Sequence, residues 1–226
     1  MMLKELNRIP ARVRNEEGND TGNSEFAFGI ETNLAGTPAM DKLWEYISNA
    51  ESHSLIHQNL AGNISRSLHL DDTDNWFFDN VCLPTITEHK EILKNQRAFH
   101  SQTIFKNDVP YVLDRLWVNF QKQHEFNPLH CHSGIFSFVI FMKIPYDWKE
   151  QHEIPFVKAS NSARAGNFEF VYIDVMGNIC TYSLKLSSIS EGTMLFFPAE
   201  IMHMVYPFYN CEEERITISG NIKYDI

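Results

Sequence analysis

The chain has four cysteines in 226 residues, and Cys82, Cys131, Cys180 and Cys211 lie far apart. There is no Cys-x-x-Cys pair and no dense cysteine framework. That excludes a disulfide-stapled scaffold and points to reduced thiols in a cytoplasmic, soluble setting. No apolar run approaches the ~18 residues of a membrane span. The opening Met1-Met2-Leu3-Lys4-Glu5 lacks the apolar stretch of a signal peptide. Basic residues are the scarcer sign, 19 Lys and Arg against 29 Asp and Glu for a formal charge of -10, and they form no cluster. Neither nucleic acid nor a membrane surface is therefore an expected partner. Internal repeats and low-complexity segments are absent. Nothing in the sequence speaks to the oligomeric state.

What is present is a globular composition, 43% hydrophobic and 13% aromatic, with 17 Phe. The length suits one large domain over 1–226. Residues 12–24 are polar and turn-rich, a surface loop with a short strand before or after it. Thr37-Pro38 starts a helix with Thr37 as N-cap and Pro38 at the first helical position; Leu43, Trp44 and Ile47 recur at helical spacing, and the helix ends near Asn49. Asp71-Asp72-Thr73-Asp74 is a second helix start, with Phe77, Phe78, Val81 and Cys82 as its buried stripe up to Pro84. The glycine and bidentate Glu of a calcium-binding EF-hand loop are missing there. A third helical stretch covers 85–95.

From Tyr111 the period changes to that of strands: 116–120, 134–143, 168–175, 179–186, 192–197, 203–206 and 215–222, stopped by Pro and Gly. Short strands with no helices between them predict a sandwich or barrel. The expected fold class is mainly β with N-terminal helices. A helix-rich support over 1–110 packs outside a β core over 111–226, and 145–166 loops over the barrel mouth.

The stretch carrying most chemistry is Asn127-Pro128-Leu129-His130-Cys131-His132-Ser133-Gly134. In an extended chain His130 and His132 point to one face, with Cys131 on the other. Two imidazoles from one strand end supply two of the nitrogens that a first-row transition metal needs. His203, in Phe197-Pro198-Ala199-Glu200-Ile201-Met202-His203, is the candidate third. The competing reading is a chance pair in a chain with ten histidines. His53, His57, His69, His89, His100, His124 and His152 have no matching partners.

The last strand alternates cleanly. Arg215, Thr217, Ser219 and Asn221 share one face, and Ile216, Ile218 and Ile222 share the other. Such a polar face can lie in solvent. Inside a hollow barrel it can instead hold a ligand, where a planar guanidinium grips a carboxylate by two points and Thr217 adds a hydrogen bond.

Taken together, His130-x-His132, His203 about 70 residues on and Arg215-x-Thr217 a dozen later resemble the Fe(II)/2-oxoglutarate-dependent oxygenases. The resemblance is strongest to prolyl-hydroxylase-like oxygenases of marine phages and bacteria, and it covers Trp117 to Ile222. It rests on Glu125-Phe126-Asn127-Pro128, His130-x-His132-Ser133-Gly134, Ser137-Phe138-Val139, Phe197-Pro198-Ala199 and Arg215 through Ile222. It implies a double-stranded β-helix, or jelly roll, with Fe(II) at its mouth. It implies 2-oxoglutarate as cosubstrate and dioxygen as oxidant, and action on a small-molecule or peptidyl substrate, in a bacterial host if the chain is phage-encoded. Carried over, His130, His132 and His203 are the metal ligands and count with Arg215 as the catalytic set. Arg215 and Thr217 hold the 5-carboxylate, and Asn119, on one face with Trp117, reaches the cosubstrate.

One position departs from the resemblance. The second ligand is ordinarily a carboxylate, and this chain has His132 there; Glu125 or Glu200 could supply one from elsewhere. The departure also admits a cupin-type three-histidine dioxygenase that needs no 2-oxoglutarate, since Gly192-x5-Pro198-x4-His203 is similar to a cupin motif. A non-enzymatic β-sandwich that binds a metal is the third reading.

Overall fold

The computed structural model describes residues 6–10, 27–50, 60–93, 109–174 and 176–226. Its frame is two antiparallel sheets. The larger runs β1-β2-β9-β6-β11-β4-β3 and the smaller β5-β10-β7-β8. Their strands are β1 Leu6–Pro10, β2 Ala27–Asn33, β3 Arg66–His69, β4 Tyr111–Gln121, β5 Asn127–His130, β6 Phe136–Lys143, β7 Phe168–Ile173, β8 Ile179–Leu184, β9 Thr193–Pro198, β10 Met202–Val205 and β11 Arg215–Tyr224. Two sheets fit the sandwich expected from the strand pattern, and the arrangement is the jelly roll that the resemblance implies. His53, His57, His100 and the 12–24 loop lie outside the described residues.

Alternation sorts each central strand of the larger sheet into two environments. On β6, Phe136, Phe138, Ile140 and Met142 face one way; on β9, Met194 and Phe196 do, and on β11, Ile218 and Ile222. They meet Leu43 and Tyr46 of helix α1, Pro38–Asn49, and Phe77, Val81 and Ile86 of the second helical segment. The opposite face of β6 and β9, with Val139, Phe141, Leu195 and Phe197, packs on Phe168 and Phe170 of β7 in the smaller sheet. β6 is buried along almost its whole length because it has a core on both sides. Between the sheets, the β4 and β11 half carries polar side chains instead, and there a cavity opens.

Gly220 sets how closely β11 and β6 approach. A Cβ there would lie 2.3 Å from the Phe138 ring and 2.9 Å from the Arg115 carbonyl oxygen. The strand therefore tolerates no side chain at the one position where that ring crosses it.

Several local expectations change in detail. Thr37 does not cap α1 through its side chain; its hydroxyl donates to the Leu34 carbonyl at 2.7 Å. The buried stripe of α1 is Ala39, Leu43 and Tyr46, while Trp44 is exposed. The second helix does not stop at Pro84. A π-turn, Phe78–Cys82, runs directly into α2, Leu83–Leu93, with the Leu83 N–H donating to the Phe78 carbonyl just before Pro84. In the acidic run, the Asp72 carboxylate accepts from the Phe77 and Phe78 N–H groups, both at 2.9 Å. The segment before residue 110 is not only helical support. It places β1, β2 and β3 in the larger sheet, and β3 was not expected. The 145–166 stretch contains two short helices, Trp148–Glu153 and Pro155–Lys158.

Candidate metal centre and cosubstrate pocket

His203 lies on β10 directly opposite His130 on β5. His132 arrives differently from the strand argument. β5 ends at His130, so alternation does not govern the next two residues. His132 is placed instead by its backbone N–H, which donates to the Ala199 carbonyl at 2.8 Å. The three imidazoles still converge, with candidate ligand atoms all within 4.8 Å of one another. Cys131, expected to face away, is exposed and lines the cavity rim.

Each ring is oriented by its other nitrogen. His130 Nδ1 donates to the Pro128 carbonyl at 2.7 Å, and His203 Nδ1 to the Ile201 carbonyl at 3.0 Å. His132 Nδ1 lies 2.7 Å from Asn221 Oδ1 and 3.1 Å from Ser137 Oγ. With Nδ1 carrying the proton, every Nε2 presents a lone pair inward; those of His130 and His132 are 3.2 Å apart. Trp117 stacks on the His132 ring at 5.7 Å, and Phe168 stacks on His203 at 5.6 Å. Three inward lone pairs with no proton between them suit a divalent cation of the first transition row. Neither carboxylate alternative joins them. Glu125 accepts from the Ser65 N–H at 3.0 Å and the Lys122 N–H at 2.9 Å, and Glu200 is exposed outside the cluster.

Burial keeps the imidazoles neutral. Desolvation lowers the His130 pKa. Desolvation and then the neighbouring His130 bring His132 to about 4 and, with His132 added, His203 to about 3. Their folded pKa values lie below the unfolded 6.5, so the unfolded chain takes up protons first as pH falls. Stability of the metal-free protein is thus full above about pH 6.5 and declines below it. Each of these two rings contributes on the order of 1.4 kcal/mol per pH unit down to its folded pKa. Chelator-treated protein should melt at clearly lower temperature at pH 5 than at pH 7, and His203→Asn should shrink the difference. A melting temperature independent of pH over that interval would contradict it.

The other end of the pocket is Arg215, only 1% exposed. Its Nε and one Nη donate to Gln121 Oε1 at 3.2 and 2.5 Å; the Nη groups also reach Tyr146 Oη, the Gly166 carbonyl at 3.2 Å and the Tyr206 carbonyl at 3.1 Å. Gly166 has φ +76, and a Cβ there would strike the Tyr146 ring at 2.7 Å, so only glycine presents that carbonyl. All of these acceptors are neutral. Among the described residues no carboxylate comes within ion-pair distance of Arg215. The segment expected over the barrel mouth therefore closes the arginine end instead, through Tyr146 and Gly166.

Arg215, Thr217, Ser219 and Asn221 do face inward, and Trp117, Asn119 and Gln121 face them from β4 in register. The cavity they line has a volume of about 200 Å³ and holds the three histidines as well. Asn119 accepts from Ser67 Oγ at 2.7 Å. Gln121, Tyr146 and Gly166 carry no signal that singles them out in the sequence as site residues. The two-residue period of β4 reaches Gln121 from Trp117 and Asn119; no local pattern marks the other two.

Residues 115–221 match the model of a family described as "Putative 2OG-Fe(II) oxygenase". Over that stretch, a little under half of its length, the chain is similar to the 2OG-Fe(II) oxygenases, enzymes that use Fe(II), 2-oxoglutarate and dioxygen. No curated protein matches the sequence. Among solved structures, a Burkholderia pseudomallei oxidoreductase of the 2OG-Fe(II) oxygenase family is similar at 16% identity and TM-score 0.36, over 60% of this chain and 57% of its own. A Pseudomonas putida prolyl-4-hydroxylase is similar at 12% identity and TM-score 0.42, over 82% and 85%. IDO from Bacillus thuringiensis is similar at 15% identity and TM-score 0.42, over 88% and 93%. Among the described residues no helix is long and apolar enough to cross a membrane.

Proposed function

We propose that this enzyme hydroxylates an amino-acid side chain, a peptide or a small metabolite, with release of succinate and CO2. His130, His132 and His203 hold Fe(II), and Arg215 with Thr217 holds the distal carboxylate of 2-oxoglutarate. One observation carries the reading. A single cavity has three convergent neutral imidazoles on one wall and a buried guanidinium without a counter-charge at its inner end. A buried cation is costly unless paired with an anion, and a dicarboxylate that also reaches the metal supplies that charge.

When bound, Fe(II) supplies the site at which dioxygen and 2-oxoglutarate react together and C–H oxidation becomes accessible. The protein residues prepare that chemistry. Nδ1–H donation to Pro128 and Ile201 carbonyls holds the rings of His130 and His203 with Nε2 free. Asn221 and Ser137 orient His132. Thr217 and Ser219 line the cavity between Arg215 and the triad and offer hydroxyl donors. Gln121, whose Oε1 accepts from Arg215 while its Nε2 donates to the Glu125 carbonyl at 2.5 Å, holds the guanidinium in place beside the incoming carboxylate. Phe168 and Phe197 close the apolar wall against His203 and exclude water.

The test is anaerobic reconstitution. Fe(II) alone should leave the visible spectrum featureless, and added 2-oxoglutarate should bring up the weak charge-transfer band of its chelate. Admission of air should then yield succinate. Iron binding without a band or succinate favours the cupin-type reading; no iron binding removes both.

A further inference from the structure

We infer that Arg115 is a second anion anchor, at the cavity mouth, and that the substrate oxidised by this enzyme carries a carboxylate. The inference rests on the oxygenase reading above for what occupies the inner end.

The register of β4 and β11 gives the cavity an axis. Arg215 lies opposite Gln121, Thr217 opposite Asn119, Ser219 opposite Trp117 and Asn221 opposite Arg115. The triad belongs to the outer part of that axis, since His132 bonds Asn221 at 2.7 Å and stacks on Trp117 at 5.7 Å. From the Arg215 level to the Arg115 level is six strand residues, roughly 20 Å. A five-carbon dicarboxylate, with carbon–carbon bonds of ~1.5 Å, spans less than half of that. Bound at Arg215 with its other end at the histidines, it leaves Arg115 to something else.

Arg115 is free for the purpose. It lines the cavity, and its side chain is 55% exposed. Among the described residues the nearest carboxylate is that of Asp114, at 3.9 Å, and Asp114 is held more closely by Lys223, at 2.6 Å. No Asp or Glu among the described residues lines the cavity, although the chain carries -10 overall. A cavity whose charged lining among the described residues is two arginines, cut into an acidic protein, selects for anions. At the mouth, the guanidinium fork favours carboxylate over its uncharged isostere, and Trp117 adds a flat apolar surface beside it.

The test uses matched carboxylate and carboxamide fragments, from acetate and acetamide up to indole-3-acetate and indole-3-acetamide. They are titrated by ligand-observed NMR into full-length protein loaded with Zn(II) as a redox-silent metal and saturated with 2-oxoglutarate. The carboxylate of at least one pair should bind about tenfold tighter than its amide. Arg115→Gln should abolish the preference, Arg115→Lys should keep part of it, and Arg66→Gln, outside the cavity, should leave it intact. Equal binding within every pair in the parent, or a preference that survives Arg115→Gln, overturns the inference. Calorimetry of 2-oxoglutarate into the same protein is read separately. No binding there overturns the oxygenase reading, while the fragment comparison still decides the role of Arg115.

Discussion

Arg215→Ala is expected to weaken 2-oxoglutarate binding by about 2–5 kcal/mol, the scale for removing one member of a buried charge pair. By affinity arithmetic that is roughly thirtyfold to several thousandfold in Kd. The size follows from burial: the guanidinium is 1% exposed, so little water is available to substitute for it. The alanine variant also strips donors from Gln121, Tyr146 and the Gly166 carbonyl, which costs fold stability as well. Two comparisons separate the effects. Arg215→Lys keeps a charge but cannot make the planar two-point contact, so it should recover binding only in part. Iron affinity should be close to that of the parent in both variants, since the histidines stand on other elements. Calorimetric titration into metal-loaded, oxygen-free protein makes the measurement. Equal affinity in parent and variants would mean that the arginine is a structural cation held by neutral acceptors and nothing more.

That outcome depends on a face of β11 that is legible in the amino-acid pattern itself. The alternation of Arg215, Thr217, Ser219 and Asn221 with Ile216, Ile218 and Ile222 is a period-two signal, and tertiary packing leaves it intact. The polar side faces the cavity and the apolar side faces the helices. His130 and His203 are legible for a similar reason: each lies on a strand, and those strands pair. His132 is legible as a residue but not as a geometry, because β5 ends at His130 and a long-range hydrogen bond to Ala199 sets its position. Tyr146 and Gly166 leave no such trace. They belong to a stretch whose course is set by what it packs against, and sequence period carries no information about such contacts. β3 is hidden for a related reason. Four residues, Arg66–His69, are too few to display a period, and β3 exists because β4 offers it an edge.

Removing the imidazoles should have the other large effect, and a graded series shows why the triad is more than three histidines that happen to meet. The variant with alanine at 130, 132 and 203 should hold iron at background level, measured by metal analysis after desalting. Asn221→Ala should retain the metal but bind it about 10–100-fold more weakly, the usual consequence of removing a group that orients a ligand ring. Its Oδ1 is 2.7 Å from His132 Nδ1, and Ser137, at 3.1 Å, can replace it only in part. Glu125→Gln and Glu200→Gln are the discriminating members. If a carboxylate completed the set, one of them would fall as far as a histidine variant. The geometry argues otherwise, since Glu125 is committed to two backbone N–H groups and Glu200 lies outside the cluster. Both should bind iron like the parent. An all-imidazole set leaves the full double charge of Fe(II) in the pocket, whereas a carboxylate ligand would cancel one unit. That excess favours an anionic chelator over a neutral one, so on the proposed ligand set the same residues that depart from the two-histidine, one-carboxylate pattern should strengthen the pull on 2-oxoglutarate. Were either glutamine variant to lose iron with the alanine triad, this coupling of ligand charge to cosubstrate binding would have no basis.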